Sequence, residues 1–99
     1  MSLLISNASI VAAVSHQVSS DLAGEVVILN LNNGTYYGLD EVGVLIWNCI
    51  QQPRTVAAIR NAILEEYEVA PAECERDLLA LLNDLVAADL IEVHDAGAA

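Results

Sequence analysis

Within Val26–Ile50, VVILNLNNGTYYGLDEVGVLIWNCI, the apolar residues change period. They alternate up to Leu39 and then recur at helical spacing. Asn32-Asn33-Gly34 is a hairpin signal that joins a strand over Glu25–Leu31 to a third strand over Thr35–Leu39. Two registers are open. A two-residue Asn33-Gly34 loop sets Leu31 opposite Tyr36 and Leu29 opposite Gly38. A three-residue loop, with Gly34 left-handed in a bulge, sets Leu31 opposite Thr35, Leu29 opposite Tyr37 and Val27 opposite Leu39. The second gathers Val27, Leu29, Leu31, Tyr37 and Leu39 on one face, and a slip of one residue would scatter them, so it is preferred.

Downstream, Asp40 is an N-cap with Glu41 in the first turn. Val42, Leu45, Ile46, Cys49 and Ile50 form an amphipathic stripe, with Trp47 beside it as a core or boundary aromatic. Pro53 ends this helix, and Thr55 caps a second that buries Val56, Ile59, Ile63 and Tyr67. A third helix runs from Pro71 to about Ala88. It carries two adjacent stripes, Cys74-Leu78-Leu81-Leu85 and Leu79-Leu82-Val86. Either its own domain packs on both, or one of them lines a groove. Leu90, Ile91 and Val93 after Asp89 make a closing turn or short strand.

Upstream, Ile10, Ala12, Val14, His16 and Val18 alternate as a first strand, and Ser19-Ser20-Asp21 with Gly24 makes a turn. The expected fold is α+β and winged helix-turn-helix-like, a three-stranded antiparallel sheet followed by three helices. Residues 1–99 read as a single domain with its core over about 10–93 and flexible termini.

Of the 99 residues, 56% are hydrophobic, too many for a disordered chain. The net charge is -11, and three scattered arginines are the only Lys or Arg. Nucleic acid and anionic membranes are therefore poor partners. The uncharged N-terminus lacks the basic region of a signal peptide, and the cytoplasm is the default location. Cys49 and Cys74 read as buried free thiols, and His16 and His94 sit too far apart in sequence for a metal-ligand pattern. Ser9, Ser15, Ser19 and Ser20 lack a nucleophile-elbow context. Glu65, Glu66 and Glu68 read as a solvated face. Gly34, Gly38 and Gly43 fit no phosphate loop. No enzyme activity and no cofactor are expected.

The third strand gives the functional signal. Thr35-Tyr36-Tyr37-Gly38-Leu39 has no charge and no proline, and the last strand of a meander lies at a sheet edge. Such edges are normally blunted, so either the fold covers this one or a partner strand adds to it. Glu73, Glu75, Asp77 and Asp84 on the third helix read individually as ordinary solubilising charge, and together they would favour a basic peptide.

The run Val26–Ile50, followed by PRTVAAI, EEYEV, ERDLLALLNDL and DLIEV, resembles the PqqD-like family of peptide-binding domains over about residues 10–93. Asp40 stands where that family often has Asn, and Asp89 where Gly is common. The resemblance implies a stand-alone RiPP recognition element, which binds the leader of a ribosomally made, later modified precursor peptide. It is most similar to the leader-binding subunit of split lasso-peptide leader peptidases. By that resemblance the leader adds beside Thr35, Tyr36, Tyr37, Gly38 and Leu39. The facing wall comes from Cys74, Asp77, Leu78, Leu81, Leu82 and Leu85. The implied partners are the precursor leader, a leader peptidase subunit and a cyclase. The alternatives are a homodimer through the same edge and a partner of another peptide-modifying enzyme, such as a radical SAM enzyme.

Overall fold

The computed structural model describes residues 5–22 and 25–95. The element order is β1 (Ser9–Ala13), β2 (Gln17–Leu22), β3 (Glu25–Asn30), β4 (Tyr36–Leu39), α1 (Glu41–Cys49), β5 (Arg54–Thr55), α2 (Val56–Glu66), α3 (Pro71–Ala87) and β6 (Ile91–Asp95). Among these residues the fold is α+β, with three helices and two antiparallel three-stranded sheets, ordered β5-β1-β6 and β2-β3-β4. This corrects the single three-stranded sheet expected from sequence.

The correction begins at the first strand. The alternating run from Ile10 to Val18 is two strands separated by a bend at Ser15 and His16. Burial changes parity within the run, because Val11 and Val14 are both buried while Val18 is exposed. Beyond Ala13 the chain is held by other elements. Ala13 N–H donates to Ile50 C=O at 2.8 Å, and Val14 N–H donates to Leu90 C=O at 3.0 Å. β1 therefore pairs with β6 and β5, and only β2 joins the hairpin sheet. Ser19, Ser20 and Asp21, expected in a turn, lie inside β2. Leu22 pairs with Glu25, so the turn falls on residues 23–24, outside the described residues.

The β3–β4 register is also corrected. Val26 pairs with Leu39, Ile28 with Tyr37 and Leu29 with Tyr36. The loop has four residues, Leu31 to Gly34, and is closed by Asn30 N–H donating to Thr35 C=O at 2.8 Å. Neither expected register survives. Val26, Ile28 and Asn30 face the core, while Leu29 and Leu31 are 37% and 57% exposed. A polar residue decides the face. Asn30 is wholly buried, and its Oδ1 accepts from the N–H groups of Asn32 (2.8 Å) and Asn33 (3.2 Å). Its Nδ2 donates to the carbonyls of Ala88 (3.3 Å) and Asp89 (2.8 Å). One side chain thus ties the hairpin loop to the far end of α3. Gly34 is left-handed at φ 74°, as the loop requires.

The helices follow their local signals. Asp40 caps α1 by accepting from Gly43 N–H at 2.8 Å, and Thr55 Oγ1 caps α2 by accepting from Ala58 N–H at 3.2 Å. Gly43 is a packing glycine, since a Cβ there would lie 3.1 Å from Leu39 Cδ2. Trp47 is 2% exposed and belongs to the core, which includes Ile28, Leu39, Ile50, Val56, Leu78 and Leu90.

α3 ends in a Schellman motif. Leu90 N–H reaches Leu85 C=O, and Asp89 N–H reaches Val86 C=O, both at 3.0 Å. Asp89 takes the left-handed position at φ 57°, where glycine is the usual residue. Its carboxylate meets His16 Nε2 at 3.1 Å. Asp89→Gly removes the backbone strain but also that contact, so stability should stay within about 1 kcal/mol of the parent. Asp89→Val keeps a side chain ill suited to this φ and should cost about 2 kcal/mol in urea unfolding. The final apolar segment is a strand, β6, antiparallel to β1. Residues 1–4 and 96–99, expected to be loose, lie outside the described residues.

Candidate functional site: an edge strand above an apolar cleft

Among the described residues β4 pairs with β3 alone, so its other side is an open edge of the β2-β3-β4 sheet. The hydrogen-bond phase of that edge follows from the register. Directly opposed residues in an antiparallel pair alternate between hydrogen-bonded and non-bonded. Asn30–Thr35 is bonded, hence Ile28–Tyr37 and Val26–Leu39 are bonded too. The backbones of Thr35, Tyr37 and Leu39 point toward β3. Those of Tyr36 and Gly38 point outward, and among the described residues their N–H and C=O groups have no backbone partner, leaving them to another strand.

Beside this edge lies a cleft of about 490 Å³. Tyr37, Gly38 and Leu39 form one side, and Asp40, Val42, Gly43 and Ile46 bring α1 to it. Ile63, Tyr67 and Val69 come from α2 and the segment after it, and Cys74, Asp77, Leu78 and Leu81 from α3. Aliphatic side chains predominate, as in sites for extended apolar ligands. The cleft exists because the caps turn the chain twice. Asp40 starts α1 directly after β4, and Thr55 starts α2 directly after β5. Pro71 then opens α3 after a short connection.

The polar groups sit around the apolar lining. Tyr37 Oη donates to Asp84 Oδ2 at 3.4 Å. Burial, the Asp84 carboxylate and Asp40 hold the Tyr37 phenol above its ordinary pKa. Tyr67 is raised in the same direction by burial, by Glu41, and by Glu66 and Asp40. Both phenols therefore remain protonated donors at neutral pH. Burial pushes the Cys74 thiol up, with Arg60 opposing and Asp77 and Glu75 assisting. Cys74 thus keeps its thiol protonated at neutral pH as part of the wall. Among the described residues, no group of three or more His, Cys, Asp or Glu side chains is arranged to hold a metal ion. None of their helices is long and apolar enough to cross a membrane.

Of the residues read from sequence as a binding site, the cleft brings together Tyr37, Gly38, Leu39, Cys74, Asp77, Leu78 and Leu81. Thr35 and Tyr36 lie outside its lining, Thr35 exposed and Tyr36 on the opposite sheet face at 72% exposure. Leu82 and Leu85 are completely buried in the core and are absent from that lining. The α3 stripe that meets the core is Cys74-Leu78-Leu82-Leu85, and Leu81 flanks it on the cleft side. Sequence reading missed Val42, Ile46, Ile63, Tyr67 and Val69. Their helical spacing marked most of them as apolar-face residues, but periodicity does not separate a core face from a groove.

Comparison with known proteins gives a consistent picture. No curated protein matches the chain. One similar solved structure is TbiB1 in complex with the TbiA(beta) leader peptide. It has 38% identity and a TM-score of 0.76, covering 82% of this chain and 94% of that one. Another, a lasso peptide synthetase B1 complexed with the leader peptide, is 22% identical at a TM-score of 0.73. It covers 83% of this chain and 96% of its own, and shows the shared fold. The family described as Coenzyme PQQ synthesis protein D (PqqD) matches residues 25–91, a span running from the start of β3 to the first residue of β6. With more than half its length matched, the chain belongs to the PqqD family.

Proposed function

We propose that this protein is a non-catalytic RiPP recognition element, and that it binds the leader of a ribosomal precursor peptide as a strand added to β4. Leader side chains on one face enter the cleft against Leu78 and Leu81. The observation that carries this reading is the pairing of an unblunted edge with an apolar cleft on the same side of β4. Backbone hydrogen bonds would set register, and the cleft would select side chains. Membership in the PqqD family and likeness to TbiB1, itself solved with a leader peptide, support the same reading.

The bound leader would be delivered to lasso-peptide processing enzymes, a separate leader peptidase and a cyclase, in the cytoplasm. The hairpin sheet beside three helices is read as a winged-helix-like layout turned from nucleic acid to peptide capture. Its net charge of -11 is consistent with that change of partner.

The test is fluorescence anisotropy of a labelled leader from a short precursor encoded beside the gene. Leu81→Glu places a carboxylate in the apolar wall and should weaken binding by about 30-fold or more. Trp47 is absent from the cleft lining and buried in the core, so its emission reports folding and should remain native. Unchanged affinity in a folded Leu81→Glu protein would overturn the site. A concentration-dependent dimer that ignores every leader would instead favour self-pairing of the edge.

A further inference from the structure

The face of the β2-β3-β4 sheet turned away from the cleft carries a second feature. Val18, Leu29 and Tyr36 are directly opposed across the three strands, and all three are exposed. The next row is Ser20, Val27 and Gly38. No charged residue lies in either row. At its edge end, where Tyr36 contributes a full aromatic ring, Gly38 contributes nothing.

Neither backbone nor packing accounts for that glycine. Its φ is outside the left-handed region, and a Cβ built on it would meet no atom of the described residues within 4 Å. Gly34 and Gly43 differ, the first by its φ and the second by its contact with Leu39. A glycine inside a strand lowers strand stability and commonly marks close approach by a ligand or another chain. Here it leaves a notch, with half-buried Val27 as the floor and Tyr36 as one wall.

Resting on the strand-addition reading, we infer that the notch at Gly38 is a second recognition subsite, occupied by an outward-pointing aromatic or long aliphatic side chain of the leader strand. The open backbone groups belong to Tyr36 and Gly38. A leader residue bonded opposite Gly38 therefore places its side chain on the same outer face. With no side chain on Gly38, that group lies across the glycine and reaches Val27, the arrangement by which cross-strand aromatics cover strand glycines. The cleft thus reads alternate leader residues, and the notch reads one of those between them. A leader engaging both faces has its register fixed twice, since a slip of one residue exchanges the two sets.

The experiment fills the notch from the protein side. Gly38→Val has open space for its side chain and a better strand former, so its melting temperature should be no lower than the parent's. Its affinity for the labelled leader should fall about ten-fold. In an alanine scan of the leader, one position should cost about ten-fold against the parent protein and almost nothing against Gly38→Val. Gly38→Ala should give the same pattern with smaller amplitude. Unchanged affinity of both variants, or losses that simply add at every leader position, would overturn the notch while leaving strand addition standing. A leader that fails to bind the parent protein would overturn strand addition, and the notch with it.

Discussion

Replacing Asn30 by leucine is expected to destabilise the protein by about 3 kcal/mol, and to lower its melting temperature by about 15 °C. Leucine matches asparagine roughly in size and suits a strand, so a purely hydrophobic view of β3 predicts a gain. The side chain's hydrogen bonds argue otherwise. Asn30 is fully buried and uses both lone-pair sites and both amide hydrogens, two on each side. Removing it leaves the N–H groups of Asn32 and Asn33, and the carbonyls of Ala88 and Asp89, without their partner. The exposed loop amides regain water readily, and the carbonyls at the end of α3 less so. Most of the loss should therefore come from the α3 end. Urea unfolding of Asn30→Leu beside Asn30→Asp separates the two halves. Aspartate keeps the acceptors for the loop and turns an oxygen toward the two carbonyls. A variant as stable as the parent would show that the register is held by apolar packing instead.

Gly38→Pro is expected to reduce leader affinity by about 100-fold while leaving the fold in place. The Gly38 N–H points to the open edge, so proline removes no bond between β3 and β4. Its ring instead occupies the line along which another strand would approach. Tyr37→Pro is the informative contrast. The Tyr37 N–H belongs to the pair with Ile28, so proline there breaks the sheet from within and should lower the melting temperature by several degrees. Anisotropy titration and thermal unfolding of the two variants give opposite patterns if strand addition holds. A folded Gly38→Pro protein with parental affinity would exclude backbone pairing at this edge.

These two residues mark where sequence reading was sufficient and where it was not. Gly38 sits in YYGL, whose lack of charge and proline pointed to an open edge, and β4 does lie at one. Asn30 was invisible. A polar residue in an alternating run looks like an outward position, and assigning it outward put Val27, Leu29 and Leu31 on the core face. Its burial depends on carbonyls 58 and 59 residues away. The division of the first strand was hidden for the same reason, since Val14 is held by Leu90. Leu82 and Leu85 lie in the core outside the cleft lining, a distinction that a doubled apolar stripe does not make.

By itself, the sequence determined the elements whose causes are local. Asp40, Thr55 and Pro71 start the three helices through groups within a few residues. Gly34 supplies the left-handed turn, and Asp89 stands where α3 stops. The charge balance narrowed the partner class. Tertiary structure alone decided the register of β3 against β4, the two-sheet division, and which apolar residues form a cleft. Those depend on contacts between segments far apart in the chain. An alternating pattern is compatible with either face, and the choice falls to whichever face satisfies the buried polar groups as well as the apolar ones.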